Sequence, residues 1–258
     1  MLKSSLFELA IKWCGKLVSS DGIRHDPACV DALVELPLPA TVADLQGFVF
    51  ATNWLHDPLP DYARTVAPLH DKLEAEKKRI GRRNRNALQV ATSWDSDEKA
   101  AYENVLSLVR DSALIAHHNP DAELCVFTDA SLSGFGIMVK QGMQWQPGIP
   151  AERQNHQLII CKGGTFKRSQ LNWTVVEKEA YPIVKACNDL EYLLLRPGGF
   201  RLFCDHANLI YIFSPHADLK KRVRDRLQRW AVRLCGLYYR IEHISGVARY
   251  CVSVSRPR

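Results

Sequence analysis

The hydrophobic pattern is clearest in the second half of the chain, where short apolar runs alternate with segments of helical spacing. Leu124 to Phe127 is an unbroken apolar run, which is typical of a strand buried on both faces. Val176, Ala180 and Ile183 recur at the spacing of an amphipathic helix. Three strands followed by helix, strand, helix and strand predict an α/β domain with a mixed sheet. The predicted strands are 124–128, 134–140, 157–161, 200–205 and 237–244, and the predicted helices are 175–195, 207–213 and 217–235.

The first half of the chain is less regular, because prolines interrupt it repeatedly. Thr41 followed three residues later by Asp44 predicts a helix start, and Trp94 to Ile115 has the spacing of a connecting helix. The basic run KKRIGRRNR, from Lys77 to Arg85, is a poor core segment and is interpreted as a flexible linker. The predicted organisation is a first region over 1–88, a connecting helix and linker over 89–120, and the α/β domain over 121–258.

Composition places the chain among ordinary globular proteins. Its 258 residues are 47% hydrophobic, enough to bury a core, and its net charge of +6 permits a polyanionic partner without requiring one. The eight cysteines are scattered and none forms a CxxC pair, so they are expected to be small buried side chains in a reducing compartment. Neither a signal peptide nor a membrane span is expected, and the predicted location is intracellular, cytoplasmic or nuclear.

Three acidic residues stand out by their position in this order of elements. Asp129 closes the first strand of the α/β domain, and Asp205 closes the fourth. Parallel neighbouring strands that both end in Asp place two carboxylates side by side at one edge of the sheet. The helix wheel does not decide between Glu177 and Glu179 as a third acid. Thr174 and Glu177 fit a capping box, which gives Glu177 a structural task and favours Glu179 as the site residue.

Clustered carboxylates repel one another unless a cation lies among them. Oxygen ligands without His or Cys suit Mg²⁺ or Mn²⁺ rather than zinc, and two such ions about 4 Å apart can support phosphodiester cleavage. The alternative is a turn Asp at 129, a solvated Glu at 179 and a strand-end Asp at 205. Each of these structural roles is common by itself, but the combination in this strand order points to a site. His206, beside Asp205, is given no role.

Several motifs follow one another in a specific order along the chain. In the second half they are FTDAS with GFG after it, SQLNWTVVEKEAYPIV, LFCDHANL, RLQRWAVRL and YYRIEHISG, and before them come KWCGKLVSSDGIRHDP, DLQGFVFATNW and DYARTVAPLHDKL. Together the motifs of the second half resemble the ribonuclease H domain of reverse transcriptases from Ty3/gypsy-type retrotransposons, and the first region is similar to the segment that joins the polymerase palm to that domain. The resemblance implies a ribonuclease H-like mixed five-stranded sheet with flanking helices, preceded by a small, mostly helical remnant of the palm and thumb connection.

The resemblance also implies an activity and assigns roles to residues. Asp129, Glu179 and Asp205 match catalytic metal ligands, the substrate is the RNA strand of an RNA–DNA hybrid, and the cofactor is a pair of Mg²⁺ (or Mn²⁺) ions. The polymerase motif YxDD is absent and the chain contains no Asp-Asp pair, so no polymerase activity is expected.

The family's fourth acid is missing from this sequence. The family ends in G-x-x-N-x-x-A-D-x-L-S-R, whereas this chain has GVARYCVSVSR. Counting from Gly246 places Ser253 at the acidic position, counting back from the end places Val252 there, and no Asp or Glu follows Glu242. Two interpretations therefore stay open: a hybrid ribonuclease impaired by the missing ligand, or a catalytically silent, nucleic-acid-binding or structural remnant of a retrotransposon polyprotein.

A cationic helix is predicted before the last strand. One side of it is apolar and the adjacent side carries arginines at the same spacing, which is the pattern of a phosphate-contacting face or of a solvated basic face. Contacts of this kind position a duplex without reading its bases. The apolar residues are Val223, Leu227, Trp230 and Leu234, and the predicted nucleic-acid-binding residues are Arg222, Arg226, Arg229 and Arg233.

Overall fold

The computed structural model describes residues 7–80, 89–214 and 225–244. The chain divides into two compact units, Met1–His117 and His118–Arg258. This division does not fall in the basic run, whose first residues belong to a helix that extends to Ile80. The helix predicted as a connector instead packs into the core of the first unit through Val105 and Val109.

In its described residues the first unit combines a small antiparallel sheet with five α-helices. The helix start predicted at Thr41 is confirmed, since the Thr41 hydroxyl and the Asp44 carboxylate cap each other's backbone N–H groups. The three strands were not predicted. The elements are β1 (Ala10–Trp13), β2 (Lys16–Ser19), β3 (Gly22–His25), α1 (Pro27–Val34), α2 (Val42–Trp54), α3 (Tyr62–Thr65), α4 (Ala67–Ile80) and α5 (Ser96–Arg110).

Gly22 begins β3 at a point where the chain passes close to another backbone segment. Its φ is +142°, and a Cβ at this position would lie 2.2 Å from the Ile115 carbonyl oxygen. Ile23 and Ile115 exchange two backbone hydrogen bonds of 2.8 Å, which fix this close approach. Only glycine satisfies both the backbone conformation and the contact.

Replacing Gly22 with Ala should therefore destabilise the protein by at least about 2 kcal/mol, because the added methyl strains the backbone and collides with a carbonyl. Gly47→Ala is the matched control. Gly47 lies inside α2 and a Cβ there meets nothing within 4 Å. Alanine there should stabilise the helix by about 0.5–1 kcal/mol. Urea unfolding measures both variants, and equal effects of the two substitutions would contradict this account.

The second unit is built on a mixed five-stranded sheet, as the sequence predicted. Its strand order is β6-β5-β4-β7-β8; β4, β5 and β6 pair antiparallel, whereas β7 runs parallel to both β4 and β8. The elements are β4 (Glu123–Ala130), β5 (Gly134–Gly142), β6 (Gln157–Thr165), α6 (Val175–Asp189), α7 (Glu191–Leu194), β7 (Phe200–Cys204), α8 (Ala207–Phe213), α9 (Asp225–Leu234) and β8 (Tyr239–His243).

The central strand β4 is covered on both faces, which explains its unbroken apolar run. Leu124 and Val126 lie in the main hydrophobic core of the second unit, and the apolar side of α6 packs into the same core. Cys125 and Phe127 point to the other face, where the Phe127 ring stacks on that of Phe203 with 4.8 Å between centroids. Alternation along the strand thus serves two separate cores.

Most of the predicted element boundaries in this unit agree with the structure. The helix predicted over 175–195 is divided into α6 and α7, and α6 continues through Pro182. The helix predicted over 217–235 is described only from Asp225 onward. Of the seven cysteines in the described ranges, four are buried, but Cys14, Cys29 and Cys235 are exposed, so the expectation of burial was wrong for these three. Within the described ranges, none of the helices combines the length and the apolar character needed to span a membrane.

Lys140 is a buried charged residue beside the core formed by Cys125, Phe127 and Phe203. It lies on β5 directly opposite Cys125 and is only 3% exposed, with its Nζ 6.0 Å from the centre of the Phe127 ring. Burial lowers the pKa of Lys140 to about 8, because the ammonium loses its hydration in this apolar setting. The folded state therefore binds this proton less tightly than the unfolded chain does.

The sign of the resulting pH dependence follows from linkage. Between the folded and unfolded pKa values the unfolded chain holds more protons, so the contribution of Lys140 to stability rises with pH. The stability of Lys140→Met relative to the parent should fall by about 2 kcal/mol between about pH 7.5 and about pH 9.5. Urea unfolding at several pH values measures this difference. The same difference at every pH would show that Lys140 keeps an ordinary pKa in the folded protein.

Candidate active site

Asp129 and Asp205 lie at the same level of two neighbouring strands. The parallel pairing of β4 and β7 matches Val126 with Leu202 and Phe127 with Phe203. Continuing this register by two residues matches Asp129 with Asp205, which directly follows β7. The Thr128 hydroxyl donates a 3.3 Å hydrogen bond to the Phe203 carbonyl, which keeps the strands together up to this edge.

The start of α6 is fixed by the capping box that the sequence predicted. The Glu177 carboxylate accepts hydrogen bonds from the backbone N–H and the hydroxyl of Thr174, both at 2.9 Å, and the Thr174 hydroxyl accepts one from the Glu177 N–H at 3.4 Å. Glu177 is buried by these contacts. The structural task assigned to Glu177 from the sequence is confirmed.

The first turns of α6 lie at the same sheet edge as Asp129. Lys178 donates a 2.8 Å hydrogen bond to the carbonyl of Leu132, in the turn just beyond β4. Glu179 follows Lys178 and is 8% exposed. All three predicted acids therefore belong to segments that meet at the carboxyl-terminal edge of β4.

The two aspartates and Glu179 belong to segments on different faces of the sheet. By strand alternation both aspartates share the sheet face of Phe127 and Phe203, whereas α6 packs on the opposite face. Convergence of all three carboxylates stays a prediction.

The predicted metal ligands can be tested against the chemistry of Mg²⁺. Carboxylate oxygens are the donors that Mg²⁺ and Mn²⁺ prefer, so the residue types fit. In the part of the chain that the structure describes, no group of three or more His, Cys, Asp or Glu side chains is arranged to hold a metal ion. The position of the missing fourth acid, Ser253 or Val252, lies outside the described residues.

The cationic helix α9 has the predicted apolar side. Leu227 and Leu234 are buried in the main core, and Trp230 packs against it. Arg229 and Arg233 are exposed. Arg222 lies outside the described residues, so its predicted contact is untested.

Arg226 has partners that the sequence did not reveal. Its Nη1 donates a 2.9 Å hydrogen bond to Oε1 of Glu177, and its guanidinium carbon lies 4.7 Å from the centre of the Trp173 ring. Glu177 is 49 residues away along the chain. The spacing of the arginines gave no sign of this ion pair, and the predicted phosphate contact of Arg226 stays a prediction.

Comparison with solved structures defines the class of fold. The chain is similar to a foamy viral protease-reverse transcriptase solved with double-stranded DNA, with a TM-score of 0.65 and 15% identity over 95% of this chain and 46% of the viral one. It is also similar to the same kind of viral protein solved with an RNA/DNA hybrid, with a TM-score of 0.63 and 15% identity over 93% and 30% of the two chains. The second unit has the ribonuclease H-like fold.

Sequence comparison identifies the family of the second unit. Residues 119–236 match the model of the RNase H-like domain found in reverse transcriptase. The Drosophila melanogaster Pol polyprotein from transposon opus is 23% identical over 92% of this chain, and the one from transposon gypsy is 24% identical over 88%. The Tf2-3 polyprotein of Schizosaccharomyces pombe is 21% identical over 96%.

These results confirm the resemblance that the sequence motifs carried. The second unit contains an RNase H-like domain of the kind found in reverse transcriptase, and similarity to Ty3/gypsy-type retrotransposon polyproteins extends over most of the chain. The chain spans about a fifth of the length of these relatives, namely 22%, 20% and 17%.

Proposed function

We propose that the second unit binds an RNA–DNA hybrid and that its sheet edge is a ribonuclease H-type site for hydrolysis of the RNA strand. The observation that carries this proposal is the register of β4 and β7, which pairs Phe127 with Phe203 and, continued by two residues, would match Asp129 with Asp205 at one edge. The start of α6, with Glu179, meets the same edge through the Lys178–Leu132 hydrogen bond. The foamy viral structure with a bound RNA/DNA hybrid supports the choice of substrate.

In this proposal Asp129, Glu179 and Asp205 hold divalent ions, Mg²⁺ or Mn²⁺. Bound ions of this kind activate a water molecule and stabilise the leaving oxygen of a phosphodiester. The protein contributes the position of the carboxylates. Asp129 is held by regular pairing with Gly136 of β5, and Glu179 by the capped start of α6. Both are fixed by backbone structure before a substrate arrives.

The exposed arginines of α9 form the proposed contact with the duplex. Arg229 and Arg233 lie on the solvent side of a helix whose other side is buried. Guanidinium groups in this arrangement neutralise phosphates without reading bases, and discrimination then comes from A-like shape and the 2′-hydroxyl of the RNA strand.

The first unit is proposed to correspond to the segment that joins the polymerase palm to the ribonuclease H domain. The match to the domain model begins only at residue 119, but similarity to the transposon polyproteins covers 88% to 96% of the chain. That coverage requires similarity within the first unit as well. No polymerase activity is proposed for it, since the chain lacks an Asp-Asp pair.

Hydrolysis is proposed to be weak, because the sequence contains no acid after Glu242. A neutral Ser253 hydroxyl adds little charge to a cation that dehydrates reluctantly. The same observation favours a second candidate function, a silent domain that still binds nucleic acid. The two candidates differ only in turnover, so restoring the acid separates them.

Ser253→Asp should raise Mg²⁺-dependent cleavage of a labelled RNA–DNA hybrid well above that of the parent chain, because it returns a charged oxygen ligand. Val252→Asp is the equivalent variant if the ending is counted from its last residues. Mn²⁺ should rescue part of the parent's activity, since it generally binds such ligands more tightly.

Asp129→Asn added to the active variant is the control, and it should abolish cleavage. If neither Ser253→Asp nor Val252→Asp cleaves the hybrid while both still bind it, the silent domain is the correct alternative. Strong Mg²⁺-dependent cleavage by the parent chain would contradict the proposed role of the missing acid.

A further inference from the structure

Both carboxylate oxygens of Glu177 are used, but for different purposes. Oε2 accepts the two hydrogen bonds from Thr174 that complete the cap of α6. Oε1 accepts the hydrogen bond from Arg226, on a helix that follows much later in the chain. The Glu177 side chain is 7% exposed and that of Arg226 is 37% exposed. The cap is complete without the arginine, so the ion pair serves something beyond capping.

Aromatic contacts hold the Arg226 guanidinium from a second direction. It lies over the ring of Trp173, the residue just before the N-cap of α6. The Trp173 ring meets that of Trp230, one turn along α9, with 5.5 Å between centroids. A planar guanidinium that is hydrogen-bonded at its edge and stacked on a ring has little freedom to leave. Helix α9 is thereby attached to the first turn of α6.

The same turn of α6 is attached to the sheet edge on its other side. Lys178 reaches the Leu132 carbonyl beyond β4 and lies with its Nζ 5.7 Å from the centre of the Phe166 ring. Glu179 is the next residue. Two cations, Arg226 and Lys178, thus hold the turn that carries the proposed catalytic glutamate.

From these contacts we propose that Arg226 is a positioning residue, which fixes the first turn of α6 and with it the Glu179 carboxylate. It acts through Glu177 and does not contact phosphate, unlike the exposed Arg229 and Arg233. This inference rests on the proposed function, because positioning Glu179 matters only if the sheet edge is the active site. It separates Arg226, which is half-buried and paired with a buried carboxylate, from the exposed Arg229 and Arg233.

Hydrogen exchange tests the attachment without requiring any activity. In Arg226→Ala, the hydrogen-bonded amides at the start of α6 (177–179) should exchange about tenfold faster, the factor that matches the loss of one charge-assisted hydrogen bond. Amides of β7 (200–204) should keep the parent's rates, which separates local loosening from global destabilisation. Arg229→Ala removes the same side chain from the exposed side of the same helix and should leave both segments unchanged.

Two further variants keep this test decisive if Arg226→Ala does not fold. Glu177→Gln retains an oxygen for the cap but removes the charge from the ion pair, so it should loosen the same amides. Arg226→Lys keeps the positive charge but loses the planar stacking, and it should lie between the parent and Arg226→Ala. Parent-like exchange in α6 for all of the folded variants would overturn the proposal.

Binding of an RNA–DNA hybrid at several salt concentrations tests whether Arg226 and Arg229 have different roles. Arg229→Ala should reduce the salt slope by about one unit, as expected for one lost phosphate contact, whereas Arg226→Ala should leave the slope unchanged. In the Ser253→Asp background, Arg226→Ala should lower kcat about tenfold with KM unchanged, since Glu179 is misplaced but the duplex still binds.

Hydrogen exchange and hybrid binding test the positioning role and the proposed function independently. An Arg226→Ala variant that reduces the salt slope as much as Arg229→Ala would overturn the positioning role and return Arg226 to phosphate contact. If the parent does not bind hybrid at all, the proposed function fails, but the exchange rates still decide whether Arg226 fixes the start of α6.

Discussion

The parallel pairing of β4 with β7 is the contact on which the second unit depends. These strands are far apart in the sequence, and their register determines which residues end side by side at the sheet edge. It matches Phe127 with Phe203, whose stacked rings form one core, and it leaves Asp129 level with Asp205 just beyond them. A shift of one residue would turn every side chain of β7 to the other face. Core packing and the position of the acids are thus set by the same hydrogen bonds.

The supports of α6 extend this arrangement from the sheet to a helix. The capping box fixes where α6 begins, Lys178 connects its first turn to the end of β4, and Arg226 connects that turn to α9. The contacts of Lys178 and Arg226 join segments that are distant in sequence and are electrostatic, whereas the apolar side of α6 is held by the main core. Helix α6 is thus anchored at its start by charge and along its length by burial.

Local patterns were sufficient to predict most of the second unit. The run from Leu124 to Phe127 marked the central strand, and Thr174 with Glu177 marked the start of α6, because both signals depend on neighbours in sequence. The small sheet of the first unit was missed, since β1 and β2 are only four residues long and no residue of either is fully buried. The turn that joins β1 and β2 is more informative about the hairpin than the strands are. Cys14 and Gly15 both have positive φ there, as a tight hairpin requires. The partner of Arg226 could not be predicted, because no spacing within α9 points to a carboxylate 49 residues away.

The central claim is that Asp129 and Asp205 form one metal-binding edge, and a crystal soaked in Mn²⁺ tests it most directly. Anomalous scattering locates manganese without reference to activity, so a catalytically weak chain is as informative as an active one. The account predicts an anomalous peak in contact with the carboxylates of both aspartates, and its loss in Asp129→Asn. Manganese bound elsewhere, or no peak at this edge in a crystal saturated with the ion, would contradict it.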